Sequence, residues 1–598
     1  MDIAGLKREE FAAAERLLDA VRAVGDPRMP YADVRPVTDV KHMLETSVEL
    51  YGERTAFFVK DSPGAPYREV SYRRLKEDVD ALGTALVARG LKGKRVAVIG
   101  ENSYQWAVSY LAVTCGTGVV VPLDRELPEE DIETLLLESG AEGALFSGKH
   151  RKMFLSIAAR GRTALRVLAD LSSGSDGDGA LAFAGLLDEG AGLLRQGRRD
   201  FLDARAPWDE LCALLFTSGT TGVAKGVMLS HRNLATGMML PPMALNITKE
   251  DVFFSVLPLH HCYECTCGFL IPLYRGAAIA HCEGLKQMLK NLSEARPTVM
   301  LAVPLIVESL YRRVWQTARK SGKERLLRAL SAASGALSRV GANVGRLFFK
   351  QIHELFGGRM RVIICGGAAI DPDVLRGIRR FGILAVQGYG LTECSPICAL
   401  NPDAFVKDAS AGYVLTGMEG KVHEPDTESG VGEICVKGGH VMMGYYNNPE
   451  ATAEVLRDGW FYTGDLGYID KDGYVFITGR RKNVIITKNG KNVFPEELEY
   501  KLSQLEEVAA CMVWGQSGEN GETAIVATIQ PDEEVLARVL GEGATDEQAT
   551  ELLWRRVDEV NKRLPLFKMI RRIVLRRKDF DMTTGKKIKR FMEGNKGQ

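Results

Sequence analysis

The chain predicts a mixed α/β fold: a large N-terminal part of several subdomains and a small C-terminal α+β part. Three observations carry that expectation. Apolar runs that empty into glycines recur, as at Lys94 to Gly100, Ala213 to Phe216 and Arg361 to Gly367. Such runs read as buried strands, and strand–turn–helix repeats argue a sheet with crossovers. Residues 411–480 read as β-rich, with a hairpin turn at Lys471-Asp472-Gly473. At 598 residues the chain also exceeds what one core can serve.

The elements follow in order. Residues 1–39 read as a polar helical lead-in. A helix is expected over His42 to Tyr51, a strand-turn stretch ends at Tyr72, and a second helix runs to Gly90. Glu101-Asn102-Ser103 opens a helix after the strand at Lys94. The uncharged run Trp106 to Leu123 contains Gly116, Gly118 and Pro122, so it reads as buried helix, turn and strand rather than a membrane span. Strands are also expected around Val119 to Val121 and Gly143 to Phe146. Residues 172–199, rich in Gly, Ser and Asp, read as a loop or mobile excursion. Further strands are expected at Ile383 to Val386 and, with alternating burial, Gly432 to Lys437. Pro495 with Glu496 and Glu497 opens a helix, and Val508 to Val513 reads as a strand of the small part.

Composition excludes little. The chain is 45% hydrophobic and 26% charged, as soluble globular proteins are, and 77 basic residues balance 77 acidic ones. Bulk charge therefore names no partner. Two segments are basic: residues 312–350 and residues 561–598. Either can be a solvated face or can meet phosphates or an anionic membrane. The basic tail lacks the interleaved aromatics that stack on bases, so nucleic acid is not an expected partner. The eleven cysteines are odd in number and scattered, which fits reduced thiols and a cytoplasmic location. The first residues lack the apolar core of a signal peptide.

The stretch after Phe216 is the strongest chemical signal. Thr217, Ser218, Gly219, Thr220, Thr221 and Gly222 precede Lys225 and Gly226. Glycines let backbone N–H groups converge on one anion, hydroxyls add donors, and a lysine adds charge, so the loop suits polyphosphate. Its spacing is not that of the common P-loop. The run Pro258 to Cys267, with His260, His261, Glu264 and three cysteines, invites a zinc reading, but the ligand spacing is wrong for the usual structural sites. A turn feeding a pocket-lining helix is expected there. Tyr389 sits between Gly388 and Gly390 at a strand end and can offer its ring to a flat base; Glu393 follows and can hold a divalent cation.

Taken together, these motifs resemble the adenylate-forming superfamily of acyl-CoA synthetases, luciferases and peptide-synthetase adenylation domains. The resemblance runs from about Val40 to Arg590 and rests on Thr217 to Gly226, Pro258 to His261, Gly366-Gly367-Ala368, Gly388 to Glu393, Tyr462 to Asp465, Gly479 to Lys482 and Thr584-Gly585-Lys586. It implies a two-step reaction: a carboxylate attacks the α-phosphate of ATP and releases pyrophosphate, then a thiol, usually of coenzyme A, displaces AMP. It implies an adenylation domain over 40–480 and a small mobile domain over 481–598, with the active site between them. By matching position, Thr217 to Lys225 would hold the β and γ phosphates, and Gly366, Gly367 and Ala368 would lie beneath the adenine on which Tyr389 stacks. Gln387 and Gly388 would sit at the base's edge, with Gly390 and Thr392 in the same nucleotide-binding motif. Glu393, with Thr217, would hold Mg²⁺. Asp465 would accept from the ribose hydroxyls and Arg480 would touch ribose or phosphate. Lys586 would bridge the substrate carboxylate and the α-phosphate, His261 would flank the acyl pocket, and Lys482 would be the pivot of the small domain.

The acid is less legible. The basic insertion 312–350, with Leu326, Leu327, Leu330 and Leu337 as an apolar stripe, looks like the matching segment of long-chain fatty acyl-CoA synthetases. A medium- to long-chain fatty acid is therefore expected, with Tyr263, Cys265 and Val303 in the pocket wall and a peripheral membrane contact through the insertion. The alternatives are a carrier-protein acceptor, an aryl or short-chain acid, a luciferase-like oxygenase, and a non-enzymatic nucleotide-binding protein on the same fold.

Overall fold

The computed structural model describes residues 3–172, 176–217, 224–338, 344–487, 491–517, 523–582, 588–590 and 592–597. These residues fall into two compact units. The larger takes Met1–Ser218, Ala224–Glu419 and Val436–Phe461; the smaller takes Gly420–Cys435 and Tyr462–Gln598.

The larger unit is built on two sheets. One has eight strands, with Gly444–Tyr445 at an edge, then Lys225–Ser230, Leu211–Thr217, Gly118–Pro122, Lys94–Ile99, Gly143–Phe146, Val167–Asp170 and Leu181–Ala182. From Leu211–Thr217 to Leu181–Ala182 the strands run parallel, with Lys225–Ser230 antiparallel beside them; the central parallel strands are largely buried, which is why they read as continuous apolar runs. The helices between them start where short polar side chains can satisfy the first free N–H groups. Ser103 accepts from Trp106 N at 3.2 Å, and Ser230 forms a reciprocal cap with Asn233. The second sheet places Val299–Ala302, Val362–Cys365 and Leu384–Gly390 side by side and parallel, in register Ala302, Cys365, Gln387.

Several expectations change. Residues 172–199 are not a loop: beyond the undescribed 173–175, they form the strand Leu181–Ala182 and the helix Phe183–Arg195. The helix crosses Tyr72–Leu86 so closely that a Cβ at Gly190 would stand 1.8 Å from the Ala81 carbonyl oxygen. Glycine there serves close packing, a reading that composition alone turned into flexibility. Gly432–Lys437 is a strand buried almost throughout rather than on alternate residues. The stripe in the basic insertion is split. Leu327 packs with Val314, Phe349 and Phe381, and Leu330 packs against them, but Leu326 is 56% exposed and Leu337 37%. The lead-in forms the helix Ile3–Val24, whose Ala14, Leu18 and Val21 are buried. Among the described residues, no helix is long and apolar enough to cross a membrane.

Trp460–Ile469, in the smaller unit from Tyr462 on, and Tyr474–Arg480 form an antiparallel hairpin whose turn lies at Asp472-Gly473, as expected. Val508–Ser517, Thr523–Pro531 and Arg572–Leu575 form a three-stranded sheet, covered by Pro495–Ser503 and Asp546–Asn561 around Leu498, Val513, Ile529 and Leu553.

Candidate active site

In the larger unit the site lies at the carboxyl ends of parallel strands, where open α/β sheets bind ligands. Two strands stop in one row, at Ala302 and Cys365, while the third runs on to Gly390, so Val303, Gly366 and Gly388 follow one another across the sheet. Gly366 is buried, and its N–H donates to the Ala302 carbonyl at 3.0 Å. A Cβ at Gly366 would meet the Tyr263 ring at 2.9 Å, and one at Gly367 would meet Val303 at 3.5 Å. Tyr263 is fixed in turn, its hydroxyl donating to the Ile364 carbonyl at 3.0 Å. Gly367 and Ala368 are exposed and Tyr389 is half-buried. Gln387 is buried, and its carbonyl accepts from the backbone N–H and side-chain amide of Asn401. Gly390 and Thr392 lead from this strand end to Glu393.

The polyphosphate loop is anchored at its two ends. Thr217 and Lys225 face each other across the antiparallel pair Leu211–Thr217 and Lys225–Ser230. Ser218, Gly219, Thr220, Thr221 and Gly222 lie outside the described residues, as does Lys586. The structure joins the loop's lysine to the glutamate through a residue that sequence reading passed over. The Lys225 ammonium stands 4.7 Å from the Tyr445 ring centroid, and the Tyr445 hydroxyl donates to Glu393 Oε1 at 2.9 Å. The edge strand Gly444–Tyr445 pairs with Lys225–Ser230, which sets that position. The only sequence signal was an aromatic pair, Tyr445-Tyr446, after a glycine. Glu393 is half-buried, and its backbone carbonyl accepts from Met442 N at 2.8 Å. The Glu393 carboxylate, with one neutral donor on it, and the Thr217 hydroxyl are each hard oxygen donors of the kind Mg²⁺ prefers.

Pro258 to His261 form a tight turn that feeds the wide-turned helix Tyr263–Leu270. His261 is half-buried, and its ring lies 4.4 Å from that of His260. His260 is held neutral: burial lowers its pKa well below the usual range, and His261 and Arg125 add to the shift. Glu264 is fully buried, and burial raises its pKa to about 8 despite an opposing Ser255 hydroxyl, so it is protonated at neutral pH. Cys265 is buried beside Tyr110.

In the smaller unit, Asp465 faces Arg480 across the hairpin, with Arg480 Nε 2.8 Å from Asp465 Oδ1. Asp465 is buried and Arg480 exposed. Thr463 and Glu433 frame this pair: Thr463 Oγ1 accepts from Asp465 N at 3.1 Å, and Glu433 takes the Gly464 N–H and the Arg481 guanidinium. Lys482 is exposed just past the hairpin.

Comparison with known proteins places the chain in a family. A family model described as AMP-binding enzyme covers residues 44–446, and one for an AMP-binding enzyme C-terminal domain covers 482–591. Long-chain-fatty-acid--CoA ligase 1 of Cavia porcellus is 28% identical over 547 residues, spanning 85% of this chain and 75% of that protein. Long chain acyl-CoA synthetase 1 of Arabidopsis thaliana is 28% identical over 508 residues, 80% of this chain and 76% of the relative. Among solved structures, the ATP-bound RpMatB-BxBclM chimera B1 superposes with a TM-score of 0.72 at 26% identity, over 92% of this chain and 97% of the other.

Proposed function

The chain belongs to the AMP-binding enzyme family, and from that premise we propose that it activates a medium- to long-chain fatty acid through an acyl-adenylate to its coenzyme A thioester. The observation that carries the reading is the Lys225–Tyr445–Glu393 arrangement beside the Gly366 and Tyr389 strand ends. It sets a cation and a metal-competent carboxylate next to a slot for a flat base. The chain length comes from relatives named for long-chain fatty acids.

In the first half-reaction a carboxylate oxygen bonds to the α-phosphorus and the bond to the β-phosphate oxygen breaks, so pyrophosphate leaves. Lys225 and the residues from Thr217 to Gly222 hold the leaving phosphates. Tyr389 stacks on adenine over Gly366, Gly367 and Ala368, with Gln387, Gly388, Gly390 and Thr392 around it. Asp465 accepts hydrogen bonds from the ribose, with Arg480 beside it. Glu393 and Thr217 would hold Mg²⁺, which would supply charge neutralisation at the phosphates. Lys586 offsets the negative charge gathered where the carboxylate meets the α-phosphate. In the second half-reaction a thiol sulfur bonds to the acyl carbon, AMP leaves, and the thiol proton goes to solvent or AMP. Lys482 is proposed as the pivot of the segment from 481 onward. His261, Tyr263 and Val303 are proposed for the acyl wall, with Cys265 behind it.

The basic insertion supports a membrane contact. Leu326 and Leu347 are 56% and 78% exposed, in a segment with Arg325, Arg328 and Arg346. One assay tests the proposal: AMP release with coenzyme A across a panel of acids, run free and with neutral or anionic vesicles. We expect the highest kcat/KM for long acyl chains and co-sedimentation with anionic vesicles. A preference for acetate, an aryl acid or an amino acid overturns the fatty-acid assignment, and product formed only on a carrier protein overturns the acceptor.

A further inference from the structure

Next to the nucleotide-side glutamate lies a cluster that this chemistry does not use. Cys394, Cys398 and His440 bring one ligand atom each to within 4.8 Å of one another. All three are buried, at 0%, 1% and 0% exposure. The two cysteines are free thiols. Neither ring nitrogen of His440 has a hydrogen-bond partner. A buried ring nitrogen left without a partner costs about 1–3 kcal/mol; both nitrogens of buried His281 are left so too, but among the described residues only His440 stands in a three-ligand cluster.

The backbone fixes this ring with care. The Asn233 side-chain amide donates to the carbonyls of Gly439 and Val441, at 2.8 and 2.7 Å, on either side of His440. At Gly438, φ is 153°, and a Cβ there would lie 2.8 Å from His440 Nδ1, so the ring folds back into space that only glycine leaves open. Core packing alone would be served by an apolar side chain at this position. A disulfide between the cysteines would leave the histidine unexplained.

We propose that Cys394, Cys398 and His440 form a site for one Zn²⁺ ion. Thiolate sulfur and imidazole nitrogen are the protein donors zinc prefers, and tetrahedral ligands at ordinary bond lengths stand roughly 3.5–3.8 Å apart. The observed set closes on an ion with a shift of about 1 Å or less in each side chain. On binding, each thiol releases its proton to solvent as its sulfur–zinc bond forms, and nothing is oxidised or reduced. The fourth position is left to one enclosed water, since three protein ligands leave one place on a tetrahedral ion. The ion has a structural task. Cys394 follows Glu393, and Met442, two residues past His440, donates its N–H to the Glu393 carbonyl. Zinc would tie both segments together and fix where Glu393 points.

Because the ligands are buried, loading belongs to synthesis and folding, so the test uses intact protein expressed with zinc or with cobalt in the medium. We expect one ion per chain by elemental analysis, a thiolate-to-metal charge-transfer band in the cobalt protein, and a mixed sulfur and nitrogen shell at the zinc absorption edge. His440→Asn and Cys398→Ala should lower zinc affinity by more than the ~100-fold that loss of a mere supporting partner causes, while Cys511→Ala should not. If the variants fail to fold, the wild-type spectra decide alone. A wild-type protein with well under one ion per chain, a shell without sulfur, binding that survives both substitutions, or a Cys394–Cys398 disulfide found by mass spectrometry overturns the site.

Discussion

Glu393 and Asp465 are carboxylates assigned to the same nucleotide, yet they are held in opposite ways. Glu393 is half-buried in the larger unit, and its carboxylate takes a hydrogen bond from a neutral phenol, Tyr445. Asp465 is buried in the smaller unit and faces a guanidinium at 2.8 Å. Glu393 therefore keeps charge in reserve for an incoming cation, whereas Asp465 is already compensated and has lone pairs rather than charge to offer. A carboxylate with an ion-pair partner suits two hydroxyls; one with a phenol suits a divalent ion. The difference teaches that a shared residue type need not mean a shared job.

The proposed charge of Lys586 sets the upper end of the scale against which that difference can be broken. Lys586→Ala should slow acyl-adenylate formation by ~10²–10³-fold, the cost of one lost preorganised contact. Single-turnover assays should find the thiol step from supplied adenylate nearly intact; equal loss in both steps removes the assignment. The direct comparison comes next. Glu393→Gln should cut kcat by about 10²-fold and raise the Mg²⁺ concentration needed for half activity. Asp465→Asn should mainly raise the KM for ATP, by about 10-fold, which corresponds to the lower range for a hydrogen bond to a charged group. Titrations of ATP and Mg²⁺ on both variants separate the two roles. If Asp465→Asn shifts the Mg²⁺ requirement and Glu393→Gln does not, the roles are reversed. The smallest effect is expected from Tyr445→Phe, which removes the neutral donor: a ~2–10-fold change in Mg²⁺ affinity, with the Lys225 ring contact preserved. A change in ATP affinity alone would mean that Tyr445 orients Lys225 and not Glu393.

The contrast also marks what the sequence could disclose. Lys94–Ile99, Gly143–Phe146 and Val362–Cys365 were legible because parallel strands buried on both faces are written as unbroken apolar runs. Thr217, Lys225, Tyr389 and Glu393 stood out as candidates because each lies in a short segment with its own composition. Tyr445 was not, since its meaning depends on an edge strand pairing with residues more than two hundred positions earlier. The Asp465–Arg480 pairing was hidden for a related reason: it is a matter of hairpin register, and one residue of slip would place Arg480 on the other face. The helix Phe183–Arg195 was misread because Gly190 serves a close crossing, which composition cannot distinguish from flexibility. Cys394, Cys398 and His440 meet only in three dimensions, so no spacing rule could group them.

Tyr263 gives the last of these contacts a wider meaning. Its ring packs on Gly366 while its hydroxyl is tied to the strand at Ile364, so it is the back of the proposed adenine floor and the front of the proposed acyl wall. Two substrates would then share one partition. An acid that presses on that ring changes the free energy of the floor beneath the base, and thermodynamic linkage is reciprocal: whatever factor the acyl chain imposes on ATP affinity, ATP must impose on the acyl chain. Chain-length preference in such an enzyme is then a property of the pair of ligands rather than of the acyl pocket alone.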